Sequence, residues 1–164
     1  MKLPAHTQIT SMASPLGRIT MAAADQSLVG VWFEGQAHLP DLSGFAQAPT
    51  HPVLQQAAAQ LTQYFAGERT SFELPLDLST GTAFQQSVWQ ALLAIAPGQT
   101  CSYQTLSALI GNPAAVRAVG GAVGRNPLSI IVPCHRVVGA KGALTGYAGG
   151  LERKAALLQL EGAR

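Results

Sequence analysis

The chain changes its hydrophobic period once, at Ser79-Thr80-Gly81, and that change limits the architectures open to it. Before it, short apolar runs alternate with turn residues. Gln8 to Ser14 and Arg18 to Ala24 flank a Pro15-Leu16-Gly17 turn, and Ser27 to Phe33 follows after a polar break, which predicts an antiparallel meander. From Pro52 to Phe65, Val53, Leu54, Ala57, Ala58, Leu61, Tyr64 and Phe65 recur at helical spacing, and Gly67 ends the run. Weak alternation from Thr70 to Leu78 predicts one more strand. After Gly81 the period is helical: Thr82 stands as N-cap before a stripe of Phe84, Val88, Trp89, Leu92 and Leu93. Ser102 to Ile110 and Ala114 to Gly124 read as short helices about Gly111-Asn112-Pro113, the pattern of a helix-turn-helix. Ile130 to Val138 reads as a buried strand, and Leu151 to Glu161 as a final helix after a glycine-rich stretch. The expected fold is α+β. Residues 1–80 would form a small domain with an antiparallel sheet and a helix, and residues 81–164 a mostly helical, winged-helix-like domain.

With 48% hydrophobic and 11% charged residues in 164, the chain can build a real core, which excludes the disordered class. No apolar run approaches the ~18 residues needed to span a bilayer, and Met1-Lys2-Leu3-Pro4-Ala5-His6 lacks the apolar centre of a signal peptide. A cytoplasmic location is expected, where Cys101 and Cys134 would stay free thiols. The net charge of +2 conceals an asymmetry: three cations against six carboxylates up to residue 80, net −3, and seven against two afterwards, net +5. A positive field over the motif-bearing half suits a polyanion such as nucleic acid.

Two segments carry chemistry. The helix from Ala114 holds Gly120 and Gly121 mid-helix, each costing about 1 kcal/mol relative to alanine, which implies either close helix packing or close approach of a ligand backbone. Its long cations are Arg117 and, near its end, Arg125, so it lacks a base-reading code. Contact with DNA would then rest on backbone and shape, from the minor groove, with one cation entering the base stack. The second segment is Val132-Pro133-Cys134-His135-Arg136. Imidazole and guanidinium beside the thiol make an electropositive setting that favours thiolate, and Pro133 implies an irregular strand position where the sulfur is accessible. Cys134 and His135 are adjacent and Cys101 is isolated, so zinc-type ligand spacing is absent. His6, His38 and His51 read as surface or loop residues.

Pro133-Cys134-His135-Arg136, preceded by Arg117-Ala118-Val119-Gly120-Gly121-Ala122 and Asn126-Pro127, resembles the O6-alkylguanine-DNA alkyltransferase family. The resemblance runs from about Thr82 to Gly162 and includes Ser102-Tyr103-Gln104, Tyr147-Ala148-Gly149-Gly150-Leu151 and Glu161-Gly162. It implies that Cys134 takes the alkyl group from guanine O6, that His135 and Glu161 draw off the thiol proton through a water, and that Tyr103 donates to N3 of the base. Neighbours on a strand face opposite ways, so the step from Cys134 to His135 needs that water or a turned backbone. Arg117 is the implied finger that fills the stack vacated by a flipped base, with Ala118, Gly121 and Arg125 beside it on DNA. Asn126 is the implied hinge between this helix and the active-site strand. Tyr103, Asn126, Ser129, Val137, Tyr147 and Ala148 would bound the guanine pocket, and Ser129 stands where some relatives carry a proline, which would soften that pocket.

The implied partner is double-stranded DNA carrying alkylated bases, met by a monomer without membrane, metal or diffusible cofactor; clustering along DNA and activity on O4-alkylthymine stay open. The acidic half lacks the Cys/His cluster that binds zinc in some relatives. An S-alkylcysteine has no good leaving group, so one reaction would consume the protein. Apart from the resemblance, Glu161 reads as an ordinary surface carboxylate. Other readings also stand: a lesion-binding relative that does not repair, a winged-helix DNA-binding regulator, and a Cys-His hydrolase with many turnovers.

Overall fold

The computed structural model describes residues 2–163. Three strands, β1 (Gln8–Met12), β2 (Ile19–Ala24) and β3 (Ser27–Phe33), form the antiparallel meander. Asp25, at φ 53°, makes the tight β2–β3 turn, a backbone region that aspartate tolerates better than most residues. The sheet order is β3-β2-β1-β4, and the short β4 (Ala46–Gln47), an edge strand the sequence does not announce, pairs parallel to β1. Both sheet faces are covered. Ile19, Met21, Ala23, Val31 and Phe33 join the main core with α1 (Pro52–Phe65), while Ala22, Ala24, Val29 and Trp32 pack with Leu3 and Ile9 on the other side. That is why β2 and β3 read as nearly unbroken apolar runs. Gly30 is required because a Cβ there would run into the Trp32 ring.

Two expected strands are reduced to fragments among the described residues. Within Thr70–Leu78 only Leu76 makes a bridge, to Leu28, with Leu28 N donating to Pro75 O at 2.7 Å and Asp77 N to Leu28 O at 3.0 Å. Within the later segment, residues 130–136 turn, Ile130 takes φ 73°, and Cys134–Arg136 is a 3-10 turn; only β6 (Val137–Val138) is strand. Pro75, Pro127 and Pro133 each remove a ladder donor, which limits these segments to isolated pairing. Even so, Val31 N donates to Pro127 O at 2.8 Å and Ser129 N to Val31 O at 3.0 Å, so the second half closes the β3 edge of the first.

The helices follow the periodicity. α2 (Ala83–Leu92) opens on a reciprocal cap, with Thr82 Oγ1 accepting from Gln85 N and Gln85 Oε1 from Thr82 N. Ser102 caps α3 (Tyr103–Leu109), and β5 (Cys101–Ser102) just before it pairs with β6 in parallel. Gly111, at φ 80°, turns the chain toward α4 (Val116–Gly124), which starts two residues later than the sequence suggests. Trp89 Nε1 donates to Ala122 O at 2.8 Å and fixes α4 to α2. α5 (Leu151–Leu160) ends at Glu161. Among the described residues no helix is long and apolar enough to cross a membrane.

Candidate active site

Cys134 opens the 3-10 turn, so the next side chain, His135, does not alternate to the far face as it would on a strand. The backbone is turned here rather than extended. His135 Nε2 lies 2.8 Å from Glu161 Oε2, and the two side chains are 0% and 1% exposed, which corrects the surface reading of Glu161. The other ring nitrogen, Nδ1, is buried with no hydrogen-bond partner among the described residues. A carboxylate on Nε2 selects the tautomer that leaves the Nδ1 lone pair to accept a proton.

Three donors hold the carboxylate besides His135. Arg136 Nε reaches Oε1 at 2.8 Å, Arg136 Nη2 reaches Oε2 at 3.0 Å, and the Tyr64 hydroxyl donates to Oε2 at 2.6 Å. Burial raises the Glu161 carboxyl, but the hydrogen bonds from His135 and Arg136 outweigh it and hold the group down at about 2. Burial lowers the His135 imidazole, opposed by the Glu161 hydrogen bond, so the ring rests neutral and able to act as a base.

Cys134 departs from expectation. It is 4% exposed, and burial pushes its thiol up to about 11, against smaller downward contributions from the Asn126 hydrogen bond and the Lys154 charge. The resting sulfur is a thiol rather than a standing thiolate. The guanidinium of Arg136 does not stabilise the sulfur because it is committed to Glu161 and, at 2.6 Å, to Ile95 O.

Asn126 is buried and central. Its Nδ2 donates to Val132 O at 2.8 Å and Cys134 Sγ at 3.1 Å, and its Oδ1 accepts from Leu128 N at 2.9 Å. The residue therefore ties the end of α4 to the cysteine turn and touches the sulfur directly. Beside it is a cavity of about 250 Å³ lined by Tyr103, Tyr147, Ala148, Gly120, Val123, Gly124 and Gly146, with Ala37 and His38 from the first half. Asn126 stands two residues after Gly124 of that lining and holds Cys134 Sγ at 3.1 Å, which brings the sulfur close to this cavity, and burial raises the Tyr103 and Tyr147 phenols. Tyr103 Oη makes only a long contact, 3.4 Å, to Thr145 O.

Ser129 and Val137 lie behind the cavity lining rather than on it. Ser129 Oγ is 3.3 Å from Gln36 Oε1, and Val137 is fully buried beside Cys101. Arg117, Ala118, Gly121 and Arg125 are exposed along one side of α4 and its end. A Cβ on Gly121 would meet nothing within 4 Å, so helix packing does not explain that glycine. Arg125 instead borders a neighbouring cleft with His38, Thr82 and Trp89.

Sequence reasoning missed four contributors. Tyr64 enters only as one position of the apolar stripe of α1, and Lys154, wholly buried with Nζ donating to Thr145 O at 2.8 Å and Gly146 O at 3.1 Å, belongs to no motif. Ala37 N donates to Ala148 O at 2.8 Å and His38 borders the cavity, yet neither sits in any motif.

The family model described as "6-O-methylguanine DNA methyltransferase, DNA binding domain" matches residues 83–163, and that described as "6-O-methylguanine DNA methyltransferase, ribonuclease-like domain" matches residues 9–78. The chain belongs to the 6-O-methylguanine DNA methyltransferase family. It is 49% identical to a methylated-DNA–protein-cysteine methyltransferase of Mycobacterium leprae, covering 92% of this chain and 90% of the relative. A constitutive methylated-DNA–protein-cysteine methyltransferase of Bacillus subtilis is 47% identical over 93% of both chains. Among solved structures, the Mycobacterium tuberculosis OGT in complex with DNA superposes with a TM-score of 0.89 at 47% identity, covering 94% of this chain and 92% of that one. Membership in this methyltransferase family gives the buried Cys134, His135 and Glu161 array a chemical setting.

Proposed function

We infer that this chain repairs O6-alkylguanine in DNA by direct reversal, taking the alkyl group onto Cys134. The observation that carries this reading is a buried thiol hydrogen-bonded by Asn126, next to a base-sized cavity and followed by a neutral imidazole whose far nitrogen is held by a buried, charged carboxylate.

In the proposed reaction the thiol proton passes through a water to His135 Nδ1, and Glu161 stabilises the imidazolium that forms. The sulfur then attacks the alkyl carbon. A C–S bond forms, the C–O6 bond breaks with its electron pair leaving on guanine, and the Tyr103 hydroxyl donates to N3 so that charge does not build on the ring. Tyr103 is free to turn to a base because its bond to Thr145 O is weak. Extrusion of the base costs a few kcal/mol, and Arg117, exposed on α4, fills the gap from the minor-groove side. Residues 81–164 carry the chemistry and the DNA-facing helix, and residues 1–80 support them. The thioether product has no leaving group, so each chain reacts once, as a monomer in the reducing cytoplasm. O4-alkylthymine, with the same alkyl-oxygen linkage, is a second substrate to be assayed.

Intact mass after incubation with an O6-methylguanine duplex tests the reading. A single methyl increment, lost in Cys134→Ser, is the expected result. No increment would leave a lesion-binding protein, and many turnovers per chain would make it a hydrolase.

A further inference from the structure

Glu161 is reached by a donor from the other half of the chain. The Tyr64 hydroxyl, 97 positions away in sequence, donates to Glu161 Oε2 at 2.6 Å, the same oxygen that His135 Nε2 meets at 2.8 Å. We propose that Tyr64 is a positioning residue for alkyl transfer, through which the first half of the chain holds the carboxylate of the proton relay in place. This rests on the function proposed above.

The hydroxyl is a fixed point. Tyr64 lies in the last turn of α1, 2% exposed, with its ring edge-on to Phe65 at 5.4 Å and tilted against Phe72 at 5.5 Å. Glu161, by contrast, sits at the C-cap of α5, followed by Gly162 at φ 78°, where helix backbone alone holds a side chain least firmly. Arg136, in the same 3-10 turn as His135 and anchored on Ile95 O at 2.6 Å, holds the carboxylate from the side of that turn. Tyr64 holds it from a separate element of the other half of the chain, α1. When His135 gains its proton, the new charge is stabilised only if Oε2 is already on the Nε2–H line. A short hydrogen bond from a rigid ring keeps it there without adding a competing charge.

Tyr64→Phe keeps the ring contacts and removes only the hydroxyl. The single-turnover methyl-transfer rate at saturating O6-methylguanine duplex is expected to fall roughly tenfold, the worth of one hydrogen bond to a charged group, with duplex affinity unchanged. In a Glu161→Gln background the same substitution is expected to cost nothing more, because its effect runs through that carboxylate. Equal loss in both backgrounds would make Tyr64 a packing residue only, and an unchanged rate in Tyr64→Phe would overturn the proposal outright. A readout that needs no activity separates this from failure of the function itself. The His135 Nε2–H proton, followed by NMR, should exchange with solvent faster in Tyr64→Phe, and an identical exchange rate would contradict the positioning role whether or not the protein transfers methyl.

Discussion

Cys134 shows what adjacency in sequence can and cannot say. A thiol beside imidazole and guanidinium reads as activated, yet the Arg136 guanidinium is spent on Glu161 and Ile95, and burial leaves the thiol at about 11. The residue types of the site were legible, but the direction of each side chain was not, because that depends on a 3-10 turn that replaces the expected strand. The buried thiol predicts slow modification by a small alkylating reagent at neutral pH, with the rate inflecting near 11 rather than near the usual 9.0. The sign for stability follows from the same shift. A folded-state value above the unfolded one means this contribution is complete below pH 9.0 and is lost as pH rises through about 11. Reagent kinetics across alkaline pH check both the site and the sign; an inflection below 9.0 would mean a standing thiolate.

Among the elements, α4 shows most clearly what the structure adds to the sequence. Its two glycines looked costly in the sequence without saying why, since packing and ligand approach predict the same residue. Geometry separates them: Gly121 is exposed and a Cβ there meets nothing. Gly121→Ala is therefore expected to stabilise the protein by about 1 kcal/mol through helix propensity, seen as a higher Tm, while weakening binding to duplex DNA. Tighter or equal DNA binding in the variant would remove α4 from the interface. The helices α1 and α2 were legible because periodicity agreed with the end signal at Gly67 and the N-cap at Thr82. The segments around Pro75 and Pro133 were not, because apolar runs that look like strands here make single bridges across a shared sheet edge. Long-range pairing to Leu28 and Val31 decides them.

At the scale of the whole molecule, the change of period at Ser79-Thr80-Gly81 divides the sequence but not the core. Residues of β2, β3 and α1 share one apolar cluster with Val88, Trp89, Val119, Leu128 and Leu157, and Val31 pairs with Leu128 across the halves. Arg153 adds to this, lying 4.7 Å over the Phe33 ring while Nε donates to Leu16 O at 2.9 Å. Heat unfolding is accordingly expected as one transition with equal calorimetric and van't Hoff enthalpies, and two resolved transitions would contradict a shared core. The shared core also accounts for how Tyr64 reaches Glu161 in the other half. The most direct test of the account uses excess duplex carrying a labelled O6-methylguanine, followed by peptide mapping of the recovered protein. The account predicts one labelled methyl per chain, on Cys134; loss of the lesion with Cys134 unlabelled would contradict it.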